Sequence, residues 1–95
     1  MNVLQLEDAA ADAAGLLRSL ASEKRLRILC LLSDGERSVG EICAALGVSQ
    51  ANASQQLAIL RRAGLVRGRR DGQTVHYSLA SEQGRRVSDA LRLTI

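Results

Sequence analysis

Residues 41–60, EICAALGVSQANASQQLAIL, contain two short helical patterns separated by a very short turn. Gly47 follows the first pattern, where a helix C-terminus favours a left-handed residue. Ser49 precedes the second pattern, where its hydroxyl can cap a helix. Apolar residues recur at helical spacing in both patterns, so the two helices can share one core. Two helices joined by such a turn predict a helix-turn-helix over residues 38–63.

The chain before this motif also has helical periodicity. Residues 3–21 are rich in Ala and Leu and predict a first helix, which Gly15 weakens by about 1 kcal/mol relative to Ala. Residues 23–32 predict a second helix that begins after Ser22. Its apolar residues lie almost all around the helix, which is typical of a central buried element.

The chain after the motif changes to the two-residue period of β-strands. Asp71-Gly72 is a strong signal for a type I′ hairpin turn, which predicts a two-stranded ribbon, or wing, over residues 65–80. A final helix is expected to begin at Ser81. The predicted fold is mainly α with a small β-hairpin, in the order α-α-α-α-β-β-α. Residues 1–95 are expected to form a single winged helix-turn-helix domain.

The composition excludes several classes of protein. The 95 residues include two Cys and one His, which are too few for a disulfide framework or for a tetrahedral metal site within one chain. No window approaches 18 apolar residues, so no membrane span is expected. We therefore expect a protein of the reducing cytoplasm that needs no metal ion or other cofactor.

The charge is unevenly distributed along the chain. Residues 1–60 have a net charge of −2 and residues 61–95 a net charge of +5, which together give the formal charge of +3. Five Arg residues lie within residues 61–70. Such a cluster is either a solvated surface or a binding site for a polyanion such as nucleic acid.

The strings KRLRIL, VGEI, LRRAGLV and RRDGQTVHYSL follow one another within residues 16–80. Their order and spacing resemble the ArsR/SmtB family of bacterial winged-helix repressors, and above all the branch that includes the HlyU, SqrR, BigR and NolR regulators. The resemblance implies a homodimer formed through the first and last helices, residues 1–21 and 81–95. It also implies that the fourth helix and the wing bind double-stranded operator DNA.

The fourth helix, the recognition helix, presents short polar side chains and no acids. Gln and Asn can form paired hydrogen bonds with adenine edges, and a helix N-terminus favours phosphate. Ser49 is also explained by capping alone. The candidates for contact with DNA on this helix are Ser49, Gln50, Ala51, Asn52, Ser54, Gln55 and Arg62.

The wing adds four candidates, Arg67, Arg69, Arg70 and Gln73. Arginines on such a ribbon can contact phosphates or enter the minor groove. The alternative is a solvated ribbon, since exposed strands often carry charged residues.

Two cysteines are candidates for a thiol or redox sensor. The resemblance places Cys30 at the second-helix cysteine of the sulfide- and redox-responsive regulators, but the last-helix region ALRLTI lacks their partner cysteine. Cys43 could replace that partner, or both could be small hydrophobic core residues. Residues 38–41, SVGE, lack the CxC motif of the family's metal sensors, so no metal site is expected.

The expected function is that of a dimeric, sequence-specific transcriptional regulator, a repressor that binds an inverted-repeat operator, with thiol chemistry at Cys30 or Cys43 as the candidate means of its release. The alternative is a winged-helix module that binds protein or RNA without an inducer. The acid-free recognition helix and the Arg-flanked hairpin favour nucleic acid. An enzyme is not expected: a Cys–His pair would need His76 beside a cysteine, and no third group is evident to orient it.

Overall fold

The computed structural model describes residues 1–94. These residues form five helices, in the order that the sequence predicts, and a small antiparallel sheet. The helices are α1 (Val3–Leu20), α2 (Glu23–Leu32), α3 (Val39–Leu46), α4 (Gln50–Arg62) and α5 (Ser81–Thr94), and the strands are β1 (Arg37–Ser38), β2 (Val66–Asp71) and β3 (Thr74–Leu79). No helix within residues 1–94 is long and apolar enough to cross a membrane.

Local capping defines the two helices of the helix-turn-helix. The Ser38 hydroxyl accepts a hydrogen bond from the Glu41 backbone N–H at 3.1 Å, and the Glu41 carboxylate accepts one from the Ser38 N–H at 2.9 Å. The hydrogen bond from the Ser38 N–H stabilises the charged carboxylate and is the first cause of the lowered pKa of Glu41. Gly47 ends α3 with a φ of 68°, and Ser49 caps α4. The short turn thus follows directly from residues at the helix ends.

The sheet differs from the predicted hairpin in two ways. Strand β1 is added to the outer side of β3, with Ser38 opposite His76, so the sheet has three strands in the order β1-β3-β2. Asp71 pairs with Thr74, so the two residues of the hairpin loop are Gly72 and Gln73, and the predicted Asp71-Gly72 turn was wrong by one position. The positive φ of 64° at Gly72 falls on the first loop residue while Asp71 stays in the ladder.

The hydrophobic core lies between α2, α3, α4 and the base of the wing. Ile28 and Leu29 of α2 are fully buried, which confirms the central position of that helix. The other buried apolar side chains are Leu32, Ile42, Leu46, Ala53, Leu57, Leu60, Leu65, Val66 and Leu79. Helix α4 contributes three buried residues, Ala53, Leu57 and Leu60, all from one side. Its opposite side is exposed to solvent.

The last helix packs against the connection between α4 and the wing through a close backbone contact. A Cβ atom at Gly84 would lie 2.4 Å from the Leu65 carbonyl oxygen, which is far below van der Waals contact. The same carbonyl accepts a hydrogen bond from the Ala80 N–H at 2.9 Å. Ser88 is buried one turn further along, where its hydroxyl lies 3.5 Å from the Leu29 carbonyl. The inner side of α5 is therefore fitted to this domain.

Candidate nucleic-acid interface

The outer side of α4 presents the polar side chains that the sequence singles out. Ala53, Leu57 and Leu60 are fully buried on its inner side. The exposed candidates are Ser49, Gln50, Ala51, Ser54, Gln55 and Arg62. Arg62 is the last residue of the helix and lies about 18 Å along the axis from Gln50, at the usual rise per residue. The structure therefore groups the first five at one end of α4 and leaves Arg62 at the other.

The N-terminal end of α4 combines a side-chain cap with the backbone N–H groups of the first helical turn. Ser49 accepts a hydrogen bond from the Asn52 N–H at 3.1 Å, so it does cap the helix. Its own hydroxyl hydrogen is not used in that bond and remains available to an acceptor. The first-turn N–H groups of a helix lack intrahelical acceptors and attract negative charge. Capping and contact with DNA are therefore compatible roles for Ser49.

Asn52 is less well placed than its neighbours. Its side chain is half-buried, and its Oδ1 atom is buried without a hydrogen-bond partner among the residues that the structure describes. Paired hydrogen bonds to adenine need both Oδ1 and Nδ2 to reach the base. Asn52 would therefore have to change its side-chain conformation before it could form these hydrogen bonds with adenine.

The three wing arginines do not share one face. Arg67 and Arg69 lie on the same side of β2 because side chains alternate along a strand, and Arg70 lies on the other. Arg69 is already paired: its Nη2 atom lies 2.7 Å from Oε1 of Glu36. Its hydrogen bonds are the main cause of a lowered pKa for Glu36, and the carboxylate in turn raises the pKa of Arg69. Glu36 was not among the residues expected from the sequence, and it neutralises the charge of Arg69, one of the candidates for contact with DNA.

The loop of the wing and the start of α4 share a cleft of about 480 Å³. Gln50 contributes from α4 and Gln73 from the hairpin loop, so two candidates that are distant in sequence lie at one opening. The remaining lining residues are Ser38, Val39, Gly40, Cys43, Thr74 and Val75. The cleft joins the start of the recognition helix to the wing in a surface of mixed polar and apolar side chains.

The two cysteines are free thiols and line different openings. Cys43 lies in the cleft beside Gln50, whereas Cys30 lines a separate cavity between α2 and α3 with Leu26 and Leu46. Both are half-buried, so Cys43 is less buried than its position on the apolar stripe of α3 suggests. Among residues 1–94, no three His, Cys, Asp or Glu side chains come together in a group that could hold a metal ion.

One important polar contact of α4 has no signal in the helical pattern. Gln56 accepts a hydrogen bond from Nη1 of Arg25, a residue of α2, at 2.8 Å. The neighbouring Gln55 is exposed, so two adjacent glutamines of α4 face different surroundings. Their different environments follow from the 100° step between successive helix residues, but the partner of Gln56 is evident only in three dimensions.

Comparisons with known proteins agree with this geometry. Residues 22–67 match the family described as bacterial regulatory protein, arsR family. The chain is 46% identical over 91 residues to the transcriptional activator HlyU of Vibrio cholerae, covering 96% of this chain and 84% of that protein. It is 43% identical over 86 residues to the biofilm growth-associated repressor of Agrobacterium fabrum, covering 90% and 74%.

Solved structures show the same architecture. Reduced HlyU from Vibrio cholerae superposes with a TM-score of 0.88 at 46% identity, covering 96% of this chain and 97% of that one. The homodimeric winged helix-turn-helix DNA-binding domain of Mb0332 from Mycobacterium bovis superposes with a TM-score of 0.85 at 33% identity, covering 95% and 83%. The resemblance found in the sequence strings is thereby confirmed.

Proposed function

Because this chain belongs to the arsR family of bacterial regulatory proteins, we propose that it acts as a homodimer that binds an inverted-repeat DNA operator. It is a winged helix-turn-helix transcriptional regulator, and its proposed place of action is the cytoplasm. One relative is named an activator and another a repressor. We favour repression here, since a small domain bound over a promoter can act by occupying the site.

The outer side of α4 is the observation that carries this proposal. Its N-terminal end exposes Gln50, Ser54 and Gln55 without an acidic neighbour on the helix, while the inner side is held by fully buried apolar residues. A helix of this kind fits the major groove, where amide side chains distinguish base pairs. The wing exposes Arg67 on one face of β2 and Arg70 on the other, and both cations suit contact with the phosphate backbone.

The first helix supports the proposed dimer. None of the residues of α1 is buried. One side of it forms an exposed apolar stripe at helical spacing, Leu6, Ala10, Ala13 and Leu17. Exposed apolar surface of this extent is typical of an interface. The relative from Mycobacterium bovis is described as homodimeric, which supports a dimer here without specifying its interface. Most of the exposed side chains that the structure describes on α5 are charged. Helix α1 would therefore supply most of the apolar contact in the proposed dimer.

Selection of binding sites from a random pool of duplexes tests the proposal. The purified protein is expected to enrich an inverted repeat and to bind it without added metal, also in the presence of a chelator. Its affinity should fall steeply as the salt concentration rises. A plot of log K against log salt concentration should have a slope of about −0.9 for each phosphate contact. Enrichment of no duplex, or a preference for RNA or for a protein partner, would contradict the proposal.

Two matched variants separate base contacts from phosphate contacts. Gln55→Ala is expected to lower affinity for the selected site by about 1–3 kcal/mol and to relax its sequence preference. Arg67→Ala is expected to weaken binding to all duplexes alike and to reduce the salt slope by about 1. If Gln55→Ala, like Arg67→Ala, lowers the affinity for selected and unrelated duplexes equally, Gln55 of α4 does not recognise bases.

A further inference from the structure

Arg25 joins the end of the first helix to the helix-turn-helix. It is the third residue of α2, and its Nε atom donates a hydrogen bond to the Ser19 carbonyl at 2.5 Å. Its Nη2 atom lies 3.4 Å from the Arg18 carbonyl. Both carbonyls belong to the last turn of α1, where the helix dipole attracts a cation and the carbonyl oxygens lack N–H donors from a following helical turn. The guanidinium therefore holds the C-terminal end of α1.

The third nitrogen of the same guanidinium reaches the recognition helix. Nη1 donates to Oε1 of Gln56 at 2.8 Å. Gln56 is half-buried and lies one helical turn from Ala53 and from Leu60, which are both fully buried. The charged donor makes this hydrogen bond stronger than one between neutral groups. A single planar group thus links α1 and α4 through directional bonds.

These directional bonds add a constraint that the apolar core does not provide. The core residues of α2 and α4 resist separation of the two helices, but apolar contacts are not directional and allow small rotations. A planar guanidinium with acceptors on two elements fixes their relative orientation. Gln55 directly precedes Gln56 on α4, so in the proposed DNA complex the rotation of α4 would turn the Gln55 side chain toward or away from a base edge.

We propose that Arg25 is a positioning residue for DNA recognition, which sets the orientation of α4 relative to α1 through Gln56. This inference rests on the proposed function, in which α1 forms the dimer contact and α4 enters the major groove. The position of α4 relative to α1 then fixes the distance between the two recognition helices of the dimer. Half-sites must lie about one helical turn apart for both helices to bind, so a small rotation matters.

Arg25 acts without touching DNA in this proposal. All three of its side-chain nitrogens are directed at protein acceptors, and two of these hydrogen bonds are partly buried. Removal of a phosphate contact lowers the salt slope of binding by about 0.9, whereas removal of a positioning residue leaves the slope unchanged. The salt slope therefore separates the two roles.

The test compares Arg25→Ala and Gln56→Ala with the control Arg27→Ala. Arg27 is an exposed residue of the same helix, so its replacement removes the same charge close by. The probes are the duplex that the unmodified protein selects from a random pool and two versions whose half-sites are one base pair closer or further apart. Circular dichroism shows whether each variant is folded, and light scattering shows whether it is a dimer.

Arg25→Ala and Gln56→Ala are each expected to lose about tenfold in affinity for the selected duplex, as one charge-assisted hydrogen bond predicts. Both should lose less on the altered duplexes, so the preference for one spacing weakens, while the salt slope stays unchanged. Arg27→Ala should keep the spacing preference. A general loss of stability would reduce binding to every duplex equally and would not change that preference.

Several outcomes would overturn the positioning role. The role is overturned if Gln56→Ala keeps the affinity and the spacing preference of the unmodified protein. It is also overturned if Arg25→Ala lowers the salt dependence of DNA binding. If Arg25→Ala does not fold, Gln56→Ala decides, because it leaves the bonds from Arg25 to α1 in place. Failure of the unmodified protein to select any duplex would refute the proposed function, and this inference with it.

Discussion

Arg69 of the wing is bound to Glu36, the residue just before β1, by an ion pair of 2.7 Å between Nη2 and Oε1. A second hydrogen bond runs from Nε of Arg69 to Oε2 of Glu36 at 3.4 Å. The pair connects the outer strands of the sheet, since β1 and β2 lie on opposite sides of β3. A cation that faces the proposed DNA surface is thereby neutralised in the free protein.

Glu36→Gln is expected to raise the affinity for duplex DNA and to make its salt dependence steeper by up to about 1 in log–log slope, because Arg69 becomes available to phosphate. Titrations of a labelled duplex at several salt concentrations measure both quantities. Arg69→Ala is the matched control and should change affinity little in the wild-type background. A large loss of affinity in that control would show that Arg69 leaves Glu36 to bind DNA.

The same pair has a defined pH dependence. Hydrogen bonding from Arg69 lowers the pKa of Glu36 in the folded protein, so the pair is complete above the ordinary Glu range. The pair is lost as the pH falls through that lowered pKa. The Arg69 and Glu36 side chains are 57% and 39% exposed, so solvent screens the pair and the effect concerns the wing more than global stability.

Replacement of the apolar stripe of α1 is expected to separate the dimer. Leu6 and Leu17 are 57% and 65% exposed in the single chain, so Leu6→Gln with Leu17→Gln should leave the fold intact. Each buried Leu contributes about 1.5–3 kcal/mol, so association should weaken by at least about a hundredfold. Light scattering measures the mass. Leu4→Gln is the control, since Leu4 is 72% exposed but lies off the stripe. A dimer unaffected by the double substitution would exclude this stripe as the contact.

Gly84→Ala is expected to destabilise the domain by about 1–3 kcal/mol, because the added methyl group would meet the Leu65 carbonyl oxygen at 2.4 Å. Urea unfolding gives the free energy. Gly40→Ala is the matched control in α3, where the nearest atom to the added Cβ is Oγ of Ser38 at 3.8 Å. That variant should be neutral or slightly stabilising. Equal unfolding free energies for the two variants would contradict the close contact of α5.

The thiol hypothesis assigns release of DNA by peroxide, or by sulfide together with an oxidant, to Cys30 first and to Cys43 second. Both thiols are free and line separate cavities, so each can be tested alone. Cys30→Ser is expected to stay on the selected duplex under a treatment that releases the unmodified protein, whereas Cys43→Ser should still be released. Gel-shift titration with and without oxidant measures this. Release of Cys30→Ser by the same treatment would exclude Cys30 as the sensor.

Much of the fold follows from residues close together in sequence. Ser38 with Glu41, Gly47 and Ser49 determine the helix ends of the motif, because a cap needs only a local side chain or a left-handed backbone. The apolar spacing of α4 likewise predicts its buried side correctly. The sequence resemblance to the arsR family is confirmed at 46% identity to one relative.

The remaining features depend on contacts between distant residues. Strand β1 has two residues, which is too short for a two-residue period to be recognised. The pairing of Glu36 with Arg69 spans 33 residues, and that of Arg25 with Gln56 spans 31. No local pattern of charge or spacing identifies such partners. The hairpin loop differs by one residue because the strand register, and not the Asp-Gly pair alone, decides which residues are left unpaired.

Hydroxyl-radical footprinting of the selected duplex tests the central claim most directly. Two α4 helices carried by one dimer should protect two symmetry-related regions whose centres lie about 10 base pairs apart. Weaker protection should mark the flanking backbone that the two wings contact. A single protected region, or uniform cleavage at a protein concentration that saturates the duplex, would contradict the account.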